Sequence, residues 1–334
     1  MSHNIITSVI IKGIGAYLPH KTITNHELSK IVETSDNWIT SRTGIQERRV
    51  AEKNEFTSHM ATAAALNALQ NANMAPNDID LIIVATLTPD MNFPSTACLV
   101  QRNLNLNNIP CFDLQAACSG FLYALETATA LLNQNPSYKN ILVIGAEKLS
   151  SIMDWEDRST CVLFGDGAGA VIISKTQIPN IGIIHSILQS EGSKSDILKQ
   201  PGGGSACPAS QESILARQHF LKMDGREVFK HAVRLTSEIC ESLLNKTQLT
   251  PQDIDLVIPH QANLRILEVL SHRIGIPMNR FYINLNRYGN TSAASIPIAL
   301  KEAYDKGLIK SGDNILLVAF GAGLTWASTL VKWH

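Results

Sequence analysis

The 334-residue sequence has little net charge and no long apolar run. Charged residues make up only 17% of it, and 28 lysines and arginines nearly balance 29 aspartates and glutamates, which leaves a formal net charge of −1. Such a chain has no overall field that would attract nucleic acid or an anionic lipid surface. No apolar stretch approaches the roughly 20 residues of a membrane-spanning helix. The composition therefore favours a compact protein without nucleic-acid or membrane partners.

The six cysteines form neither a paired nor a metal-binding pattern. They are Cys98, Cys111, Cys118, Cys161, Cys207 and Cys240. There is no C-x-x-C pair and no close spacing to histidine, so the sequence predicts neither a disulfide framework nor a metal site. Free thiols are typical of a reducing cytoplasm. Residues 1–7 also lack the charged segment and cleavage site of a secretory signal, and we therefore expect a cytoplasmic protein.

The glycine-rich stretches do not match nucleotide-binding loops. No G-K-[ST] phosphate loop is present, and residues 164–170 (F-G-D-G-A-G-A) have the spacing G-x-G-x-G before an apolar run that predicts a strand. Residues 320–323 (F-G-A-G) also follow a predicted strand. Two interpretations stay open for them, a tight turn between strands or a segment that brings backbone N–H groups to a reacting oxygen.

The chain contains an internal duplication. Residues 75–83 (A-P-N-D-I-D-L-I-I) recur as residues 250–258 (T-P-Q-D-I-D-L-V-I), an offset of 250 − 75 = 175. Two further pairs follow in the same order, residues 121–125 with 296–300 and residues 140–144 with 314–318. Repeats at a nearly constant offset indicate two copies of one supersecondary unit. We predict halves of residues 1–178 and 179–334.

Apolar patterns predict alternating strands and helices in both halves. Strands are expected near residues 80–85, 110–114, 140–146, 254–258, 281–285 and 314–319, and helices near residues 57–73, 95–104, 118–133 and 291–306. The strands are rich in Ile, Leu and Val, as in sheets covered on both faces. Residues 150–220 show no strong counterpart and contain P-G-G-G, which indicates an insertion or an active-site loop. Two helix-covered sheets predict a layered α/β fold.

Cys118 is the candidate nucleophile. It lies where a predicted strand, residues 110–114, passes into a predicted helix through small residues. A thiol at a helix N-terminus meets unpaired backbone N–H groups, so we expect the thiolate form to be favoured there. The structural alternative is a small buried hydrophobic residue.

His260 and Asn290 are the candidate partners of this thiol. His260 follows a predicted strand, and Asn290 lies in a glycine-containing turn before a predicted helix. Taken alone, the first is as easily a structural histidine and the second an ordinary helix cap. The offset of 175 places Ala293 opposite Cys118, so the copies share a scaffold but not their reactive residues. We therefore expect the site between the halves.

A Cys, His, Asn order also occurs in papain-like proteases. Those enzymes carry C-G-[SA]-C-[WY] around the nucleophile, whereas this chain has A-A-C-S-G-F. The local sequence therefore excludes the protease interpretation.

Together these motifs resemble the β-ketoacyl-acyl-carrier-protein synthase III family. The motifs are residues 38–45 (W-I-T-S-R-T-G-I), 93–95 (F-P-S), the Cys118 segment, 164–168 (F-G-D-G-A), 260–265 (H-Q-A-N-L-R), 289–294 (G-N-T-S-A-A) and 321–326 (G-A-G-L-T-W). The resemblance implies a thiolase-like fold, with duplicated βαβαβαββ halves in a five-layered αβαβα architecture. It also implies a homodimer that initiates fatty-acid synthesis.

The resemblance implies a two-stage reaction without a tightly bound cofactor. Cys118 would take the acyl group of an acyl-CoA primer, expected to be acetyl-CoA, and release CoA. Malonyl-acyl carrier protein would then lose CO2 while His260 and Asn290 bind the developing enolate. The carbanion would attack acyl-Cys118, and the backbone N–H groups of Cys118 and Ala322 would form the oxyanion hole. Alanine is acceptable there, although a positive φ would strain it.

The resemblance also assigns the binding residues. CoA would contact Trp38, Arg42, Arg158 and Asn263, and the carrier protein would dock on Lys230, Arg265 and Arg273. Phe93 would reach across the dimer interface into the partner's acyl pocket.

Other condensing enzymes with a similar scaffold are the alternatives to this function. Thiolases carry a second cysteine in the C-terminal glycine loop, which is G-A-G here, and elongating synthases use two histidines. A specialised ketosynthase or acyltransferase of secondary metabolism with the same triad stays open. A non-catalytic acyl-binding paralogue is disfavoured by the intact triad.

Overall fold

The computed structural model describes residues 8–334, so residues 1–7 of the first predicted half lie outside it. The described chain forms thirteen strands and eleven α-helices. The strands are β1 (Ser8–Tyr17), β2 (Thr22–Thr24), β3 (Glu47–Arg49), β4 (Leu81–Ala85), β5 (Cys111–Leu114), β6 (Asn140–Glu147), β7 (Gly167–Thr176), β8 (Gly182–Ser190), β9 (Leu198–Lys199), β10 (Lys222–Met223), β11 (Leu256–Pro259), β12 (Asn314–Gly321) and β13 (Thr325–Lys332). The helices are α1 (Asn25–Leu28), α2 (Asp36–Thr43), α3 (Thr57–Ala72), α4 (Thr96–Asn103), α5 (Gly120–Gln134), α6 (Arg158–Cys161), α7 (Gln211–Leu215), α8 (Gly225–Thr247), α9 (Leu264–Ile274), α10 (Leu285–Tyr288) and α11 (Ser295–Asp305).

Two sheets with the same internal order form the scaffold. The first has the strand order β1-β7-β6-β4-β5, and the second has the order β8-β13-β12-β11. In both, two neighbouring strands are parallel, β4 with β6 and β11 with β12, and the next strand is antiparallel. The second sheet thus repeats four strands of the first, as the duplicated sequence predicts.

Helices cover both sheets and separate them. Helices α3 and α4 pack on the outer face of the first sheet, and α8 and α9 on the outer face of the second. Between the sheets lie α5 and α11, whose Phe121, Leu125, Ile296 and Leu300 are almost completely buried against both. Burying one such side chain contributes about 1.5–3 kcal/mol. The predicted five-layered α/β architecture is therefore confirmed.

The duplication extends to an uncommon backbone conformation. Ala117 and Ser292 both have positive φ, +46° and +49°, and they are 292 − 117 = 175 residues apart. Each is the first residue of a short 3-10 turn, Ala117–Ser119 before α5 and Ser292–Ala294 before α11. A positive φ is rare for residues with a Cβ. The two copies therefore share the same sharp entry into their central helices.

One predicted strand is absent from the described chain. Residues 281–285 form only a single bridge, Phe281 to Val257, and a helix begins at residue 285. The Gln261 side chain takes the place of a strand partner, because its amide donates to the Tyr282 carbonyl at 3.1 Å and its Oε1 accepts from the Asn284 N–H at 3.0 Å. The strand prediction was wrong because this contact comes from a distant loop.

Part of residues 150–220, where the sequence shows no strong counterpart, has one in the structure. Strand β8 pairs with β13 as β1 pairs with β7. The sequences differ because β1 lies against the α3 backbone, where a Cβ on Gly15 would come within 2.1 Å of the Ala64 carbonyl oxygen. Strand β8 carries no glycine between its first residue, Gly182, and its end. The positions of the strands therefore repeat where their side chains do not.

None of the helices in residues 8–334 combines the length and apolar character that a transmembrane segment requires.

Candidate active site

Cys118 lies at the junction that the sequence predicts. Strand β5 ends at Leu114, Cys118 occupies the 3-10 turn, and α5 begins at Gly120. The residue is 8% exposed and lines two cavities of the described structure. The positive φ of Ala117 turns the chain sharply enough to present the side chain at the edge of the sheet.

The thiol of Cys118 is protonated at neutral pH. Burial is the main cause that raises its pKa to about 12, and the charge of Glu147 acts in the same direction. Hydrogen bonding from Ser292 opposes this shift. The expectation that the thiolate is favoured was wrong, because burial outweighs the hydrogen bonds that lower the pKa of Cys118. Reaction at Cys118 thus needs a group that accepts its proton.

His260 directly follows β11 and is buried. Burial lowers the pKa of its imidazole to about 4, so the ring is neutral at pH 7. Its Nδ1 lies 2.7 Å from the Ser295 hydroxyl. That hydroxyl oxygen also faces the Gln261 N–H, at 3.4 Å, so we assign its proton to Nδ1. The imidazole then carries its own hydrogen on Nε2 and acts as a donor there.

Asn290 is fixed by three hydrogen bonds. Its backbone N–H donates to the Leu163 carbonyl at 2.8 Å, and its carbonyl accepts from the Gly165 N–H at 3.0 Å. Its Oδ1 accepts from the Ser292 N–H at 2.8 Å, as in an Asx turn. The interpretation of Asn290 as a cap is therefore partly right. None of these three hydrogen bonds uses the side-chain NH2 group, which remains a donor.

The first cavity joins the three candidate residues. Cys118, His260 and Asn290 all line it, with apolar walls from Phe164 and Phe320. The residues come from both copies of the repeat, as the duplication predicts. A neutral thiol, a neutral imidazole donor and an amide donor at one cavity can bind a carbonyl oxygen and stabilise negative charge that develops on it.

Cys118 also lines the second cavity, together with Ala322 and Gly323. Residues 322–324 connect β12 to β13 and form the predicted tight turn. A Cβ on Gly321 would lie 2.7 Å from the Cys118 backbone nitrogen, which shows how closely this turn approaches the nucleophile. The strain considered for Ala322 does not arise, because Gly323 carries the positive φ, +134°.

The second cavity is also lined by the glycine-rich loop and by Phe93. Gly202, Gly203 and Gly204 form part of its wall. The Phe93 side chain is 85% exposed within the single chain, the most of any large apolar residue described.

Trp38, Arg42 and Arg158 form a cluster of their own. The guanidinium carbons of Arg42 and Arg158 lie 4.6 and 4.9 Å from the centre of the Trp38 ring. Asn263 lines the first cavity, and its amide donates to the Arg42 carbonyl at 3.2 Å. The cluster is therefore connected directly to the wall of the first cavity, and a planar ring with two cations suits a nucleotide with phosphates.

The three predicted docking cations are exposed on the second half. Arg265 donates to the Ser41 carbonyl at 2.8 Å and so joins α9 to α2. Lys230 lies on α8, 3.8 Å from Glu227, and directly follows cavity-lining Val228 and Phe229. Arg273 lies on α9, eight residues after Arg265, which is about 12 Å along a helix.

Sequence reasoning missed the polar residues behind the site. Ser295 contacts His260, and Glu147 lies fully buried near Cys118. Ser295 begins a helix in the G-N-T-S-A-A-S segment, so the duplication could have indicated it as the counterpart of Gly120, 295 − 175. Among residues 8–334, no group of three or more metal-ligating side chains is found.

Comparison with known proteins points to one family. A family model described as 3-oxoacyl-[acyl-carrier-protein] synthase III matches residues 112–192, and its C-terminal model matches residues 244–333. The beta-ketoacyl-[acyl-carrier-protein] synthase III of Caldanaerobacter subterraneus is 54% identical over 323 residues, 97% of both chains. That of Aquifex aeolicus is 50% identical, over 97% of this chain and 99% of the relative.

Solved structures agree. The crystal structure of 3-oxoacyl-[acyl-carrier-protein] synthase III from Aquifex aeolicus superimposes with a TM-score of 0.90 at 49% identity, over 98% of this chain and all of that one. The priming β-ketosynthase of the R1128 polyketide biosynthetic pathway has a TM-score of 0.89 at 32% identity, over 97% and 96%. The chain is thus similar in sequence and fold to condensing enzymes over nearly its whole length.

Proposed function

Because the chain belongs to the 3-oxoacyl-[acyl-carrier-protein] synthase III family of condensing acyltransferases, we propose that it joins acetyl-CoA to malonyl-acyl carrier protein. The products are a 3-oxoacyl-acyl carrier protein, CoA and CO2. Cys118, His260 and Asn290 act on the reacting atoms, and the CoA thioester is a substrate rather than a resident cofactor. The half boundary near residue 178 belongs to the same proposal.

In the first stage, the Cys118 thiol attacks the thioester carbonyl of the primer. The backbone N–H groups of Cys118 and Ala322 stabilise the oxyanion, a role supported by the close approach of the β12–β13 turn to Cys118. CoA then leaves. The acyl group extends into the second cavity, whose glycine loop and Phe93 limit its size.

In the second stage, the malonyl thioester enters the first cavity and loses CO2. The His260 Nε2–H and the Asn290 amide donate to the thioester oxygen as it becomes an enolate. Neither residue removes a proton, since an amide is not a base and the imidazole has a pKa of about 4. Two neutral donors favour decarboxylation over proton abstraction. The resulting carbanion attacks the acyl-Cys118 carbonyl, the bond from that carbon to the Cys118 sulfur breaks, and the released thiolate takes a proton from water.

The observation that carries this proposal is that Cys118 lines both cavities. One cavity provides the His260 and Asn290 donors, and the other contains Ala322 and room for an acyl chain. A covalent carrier that meets two substrates in turn needs such a junction.

Incubating the protein with acetyl-CoA and malonyl-acyl carrier protein tests the proposal. We expect acetoacetyl-acyl carrier protein, detected by intact mass, and one CO2 per product. A panel of acetyl-, branched and medium-chain CoA primers measures which acyl chains the second cavity accepts. A protein that forms no product with any primer would contradict the proposal, and exclusive use of unusual primers would favour the specialised ketosynthase alternative.

The Trp38 cluster supports a CoA site. We expect Trp38→Ala to raise the KM for acetyl-CoA about tenfold with kcat within about twofold, because the ring contacts the nucleotide end far from the chemistry. Steady-state kinetics with varied acetyl-CoA measures this. Arg234→Ala is the matched control, since Arg234 pairs with Glu238 on the exposed face of α8. An unchanged KM in Trp38→Ala would contradict the assignment.

Protein partners belong to the proposal as well. Lys230, Arg265 and Arg273 form a basic surface for an acidic carrier protein, supported by their exposure around the first cavity and along α9. A homodimer would cover Phe93, whose exposed ring is otherwise unfavourable in water.

A further inference from the structure

Two backbone N–H groups from different copies of the repeat meet at the second cavity. Cys118 lies in the 3-10 turn before α5 and Ala322 in the turn between β12 and β13, and both residues line this cavity. Neither N–H donates to a backbone carbonyl among residues 8–334. Two such groups bind one oxygen only when their separation is fixed, because hydrogen bonds weaken steeply outside their normal distance and angle. The contacts between the two turns therefore decide how well that oxygen is bound.

The Thr325 side chain connects these two turns. Its hydroxyl oxygen lies 2.9 Å from the Ala116 carbonyl oxygen and 3.0 Å from the Ala322 carbonyl oxygen. A threonine hydroxyl has one proton, so the two carbonyls share it in a three-centre hydrogen bond. Ala116 comes two residues before Cys118, and Ala322 carries the second N–H itself. One hydroxyl thus bridges the two segments that provide the donors.

A further hydrogen bond joins the same segments in the opposite direction. The hydroxyl of Ser119, the residue after Cys118, donates to the Thr325 carbonyl at 3.0 Å. The Ser119 N–H also donates to the Ala116 carbonyl at 3.1 Å, which closes the turn around the nucleophile. Thr325 is therefore bound to the Cys118 turn both before and after the nucleophile.

The β12–β13 turn packs tightly around Thr325. A Cβ on Gly323 would lie 2.9 Å from the Thr325 Cγ2 methyl group, so the side chain fills the inside of this turn. Thr325 itself lines neither the first nor the second cavity. It therefore does not contact a substrate held in either cavity, and any effect that it has on the reaction is exerted through the two turns.

We propose that Thr325 is a positioning residue whose hydroxyl sets the separation of the Cys118 and Ala322 N–H groups, so that both bind the thioester oxygen as it becomes negative. This inference rests on the proposed acylation of Cys118 and its oxyanion hole. The two N–H groups contact the substrate, and Thr325 acts through them. Loss of its hydroxyl removes the link between the Ala116 and Ala322 carbonyls, so the two donors no longer converge on one point.

Thr325→Val tests the inference, because valine keeps the shape of the side chain and removes its hydroxyl. Thr325→Ser restores the hydroxyl and serves as the rescue variant. Thr329→Val is the matched control, since Thr329 lies on the same strand, is buried, and donates to the Ser186 hydroxyl at 3.1 Å without lining either cavity. Single-turnover acylation is measured over a range of acetyl-CoA concentrations. Alkylation of the Cys118 peptide by iodoacetamide and thermal unfolding are measured on the same preparations.

Thr325→Val is expected to slow acylation without weakening substrate binding. The maximal acylation rate should fall about 10- to 100-fold and the half-saturating acetyl-CoA concentration should stay within about threefold, because the hydroxyl acts on the transition state. Alkylation should stay within about twofold of wild type, since displacement of iodide forms no oxyanion. Thr325→Ser should return the acylation rate to within about threefold of wild type, and Thr329→Val should leave it unchanged.

Three results would overturn the inference: a wild-type acylation rate in Thr325→Val, an equal loss of acylation and alkylation, or a loss that Thr325→Ser does not restore. If Thr325→Val does not fold, Ser119→Ala decides, because it removes the other side-chain link between the turns. Acylation should then fall about fivefold or more at unchanged alkylation, and an unchanged acylation rate would contradict the inference. A wild-type protein that acetyl-CoA does not acylate would instead contradict the proposed function itself.

Discussion

Cys118→Ala is expected to abolish both the covalent acyl adduct and condensation. Among the three candidate residues only Cys118 can take the acyl group, since His260 is a neutral hydrogen-bond donor and Asn290 is an amide. We expect product formation to fall by at least about 1000-fold, the scale seen when a nucleophile is removed. The adduct is measured by intact mass after acetyl-CoA treatment, and product by the conversion of malonyl-acyl carrier protein.

Cys207→Ala is the matched control for this prediction. Cys207 is partly exposed and hydrogen-bonds to Gln218, and it lines neither cavity. The control should retain the adduct and at least half of the activity. An adduct that survives in Cys118→Ala would show that the acyl group is carried elsewhere.

His260→Ala is expected to separate the two stages. Acylation of Cys118 should stay within about threefold of wild type, because the imidazole acts on the second substrate. Decarboxylation and condensation should fall about 100- to 1000-fold, as on loss of one oxyanion donor. Single-turnover acylation and release of labelled CO2 are measured on the same preparation.

The pH dependence of the second stage carries a related expectation. Because burial holds the His260 pKa near 4, the ring stays neutral as pH rises from about 5.5 to 8, and decarboxylation by preformed acyl-enzyme should show no histidine inflection there. His185→Ala, on strand β8 outside the cavities, is the control. An inflection near 6.5 that disappears in His260→Ala would contradict the neutral-donor role.

Local patterns were sufficient to predict most of the scaffold. Short apolar runs place β4, β6 and β12 within one or two residues, and the Ala-rich stretch near 57–73 corresponds to α3. The duplication predicts that Cys118 and His260 come from opposite copies, because a shared scaffold brings equivalent strand ends together. The layered arrangement follows from the same repeat.

Contacts between distant residues could not be predicted in this way. The Gln261 side chain replaces a strand partner at Tyr282, and a sequence pattern carries no sign of such a bond. The raised pKa of Cys118 depends on burial from several elements, which the helix-terminus argument leaves out. Ser295 contacts His260 and Glu147 accepts from Thr88, residues far away in sequence, so these contacts become visible only in three dimensions.

The most direct test of the central claim is the peptide-resolved mass of protein treated with acetyl-CoA alone. One acetyl group should appear on the peptide that contains Cys118, disappear when malonyl-acyl carrier protein is added, and persist after the same addition in His260→Ala. An acetyl group on any other peptide, or equally rapid discharge in His260→Ala, would contradict an acyl-Cys118 intermediate that condenses through His260.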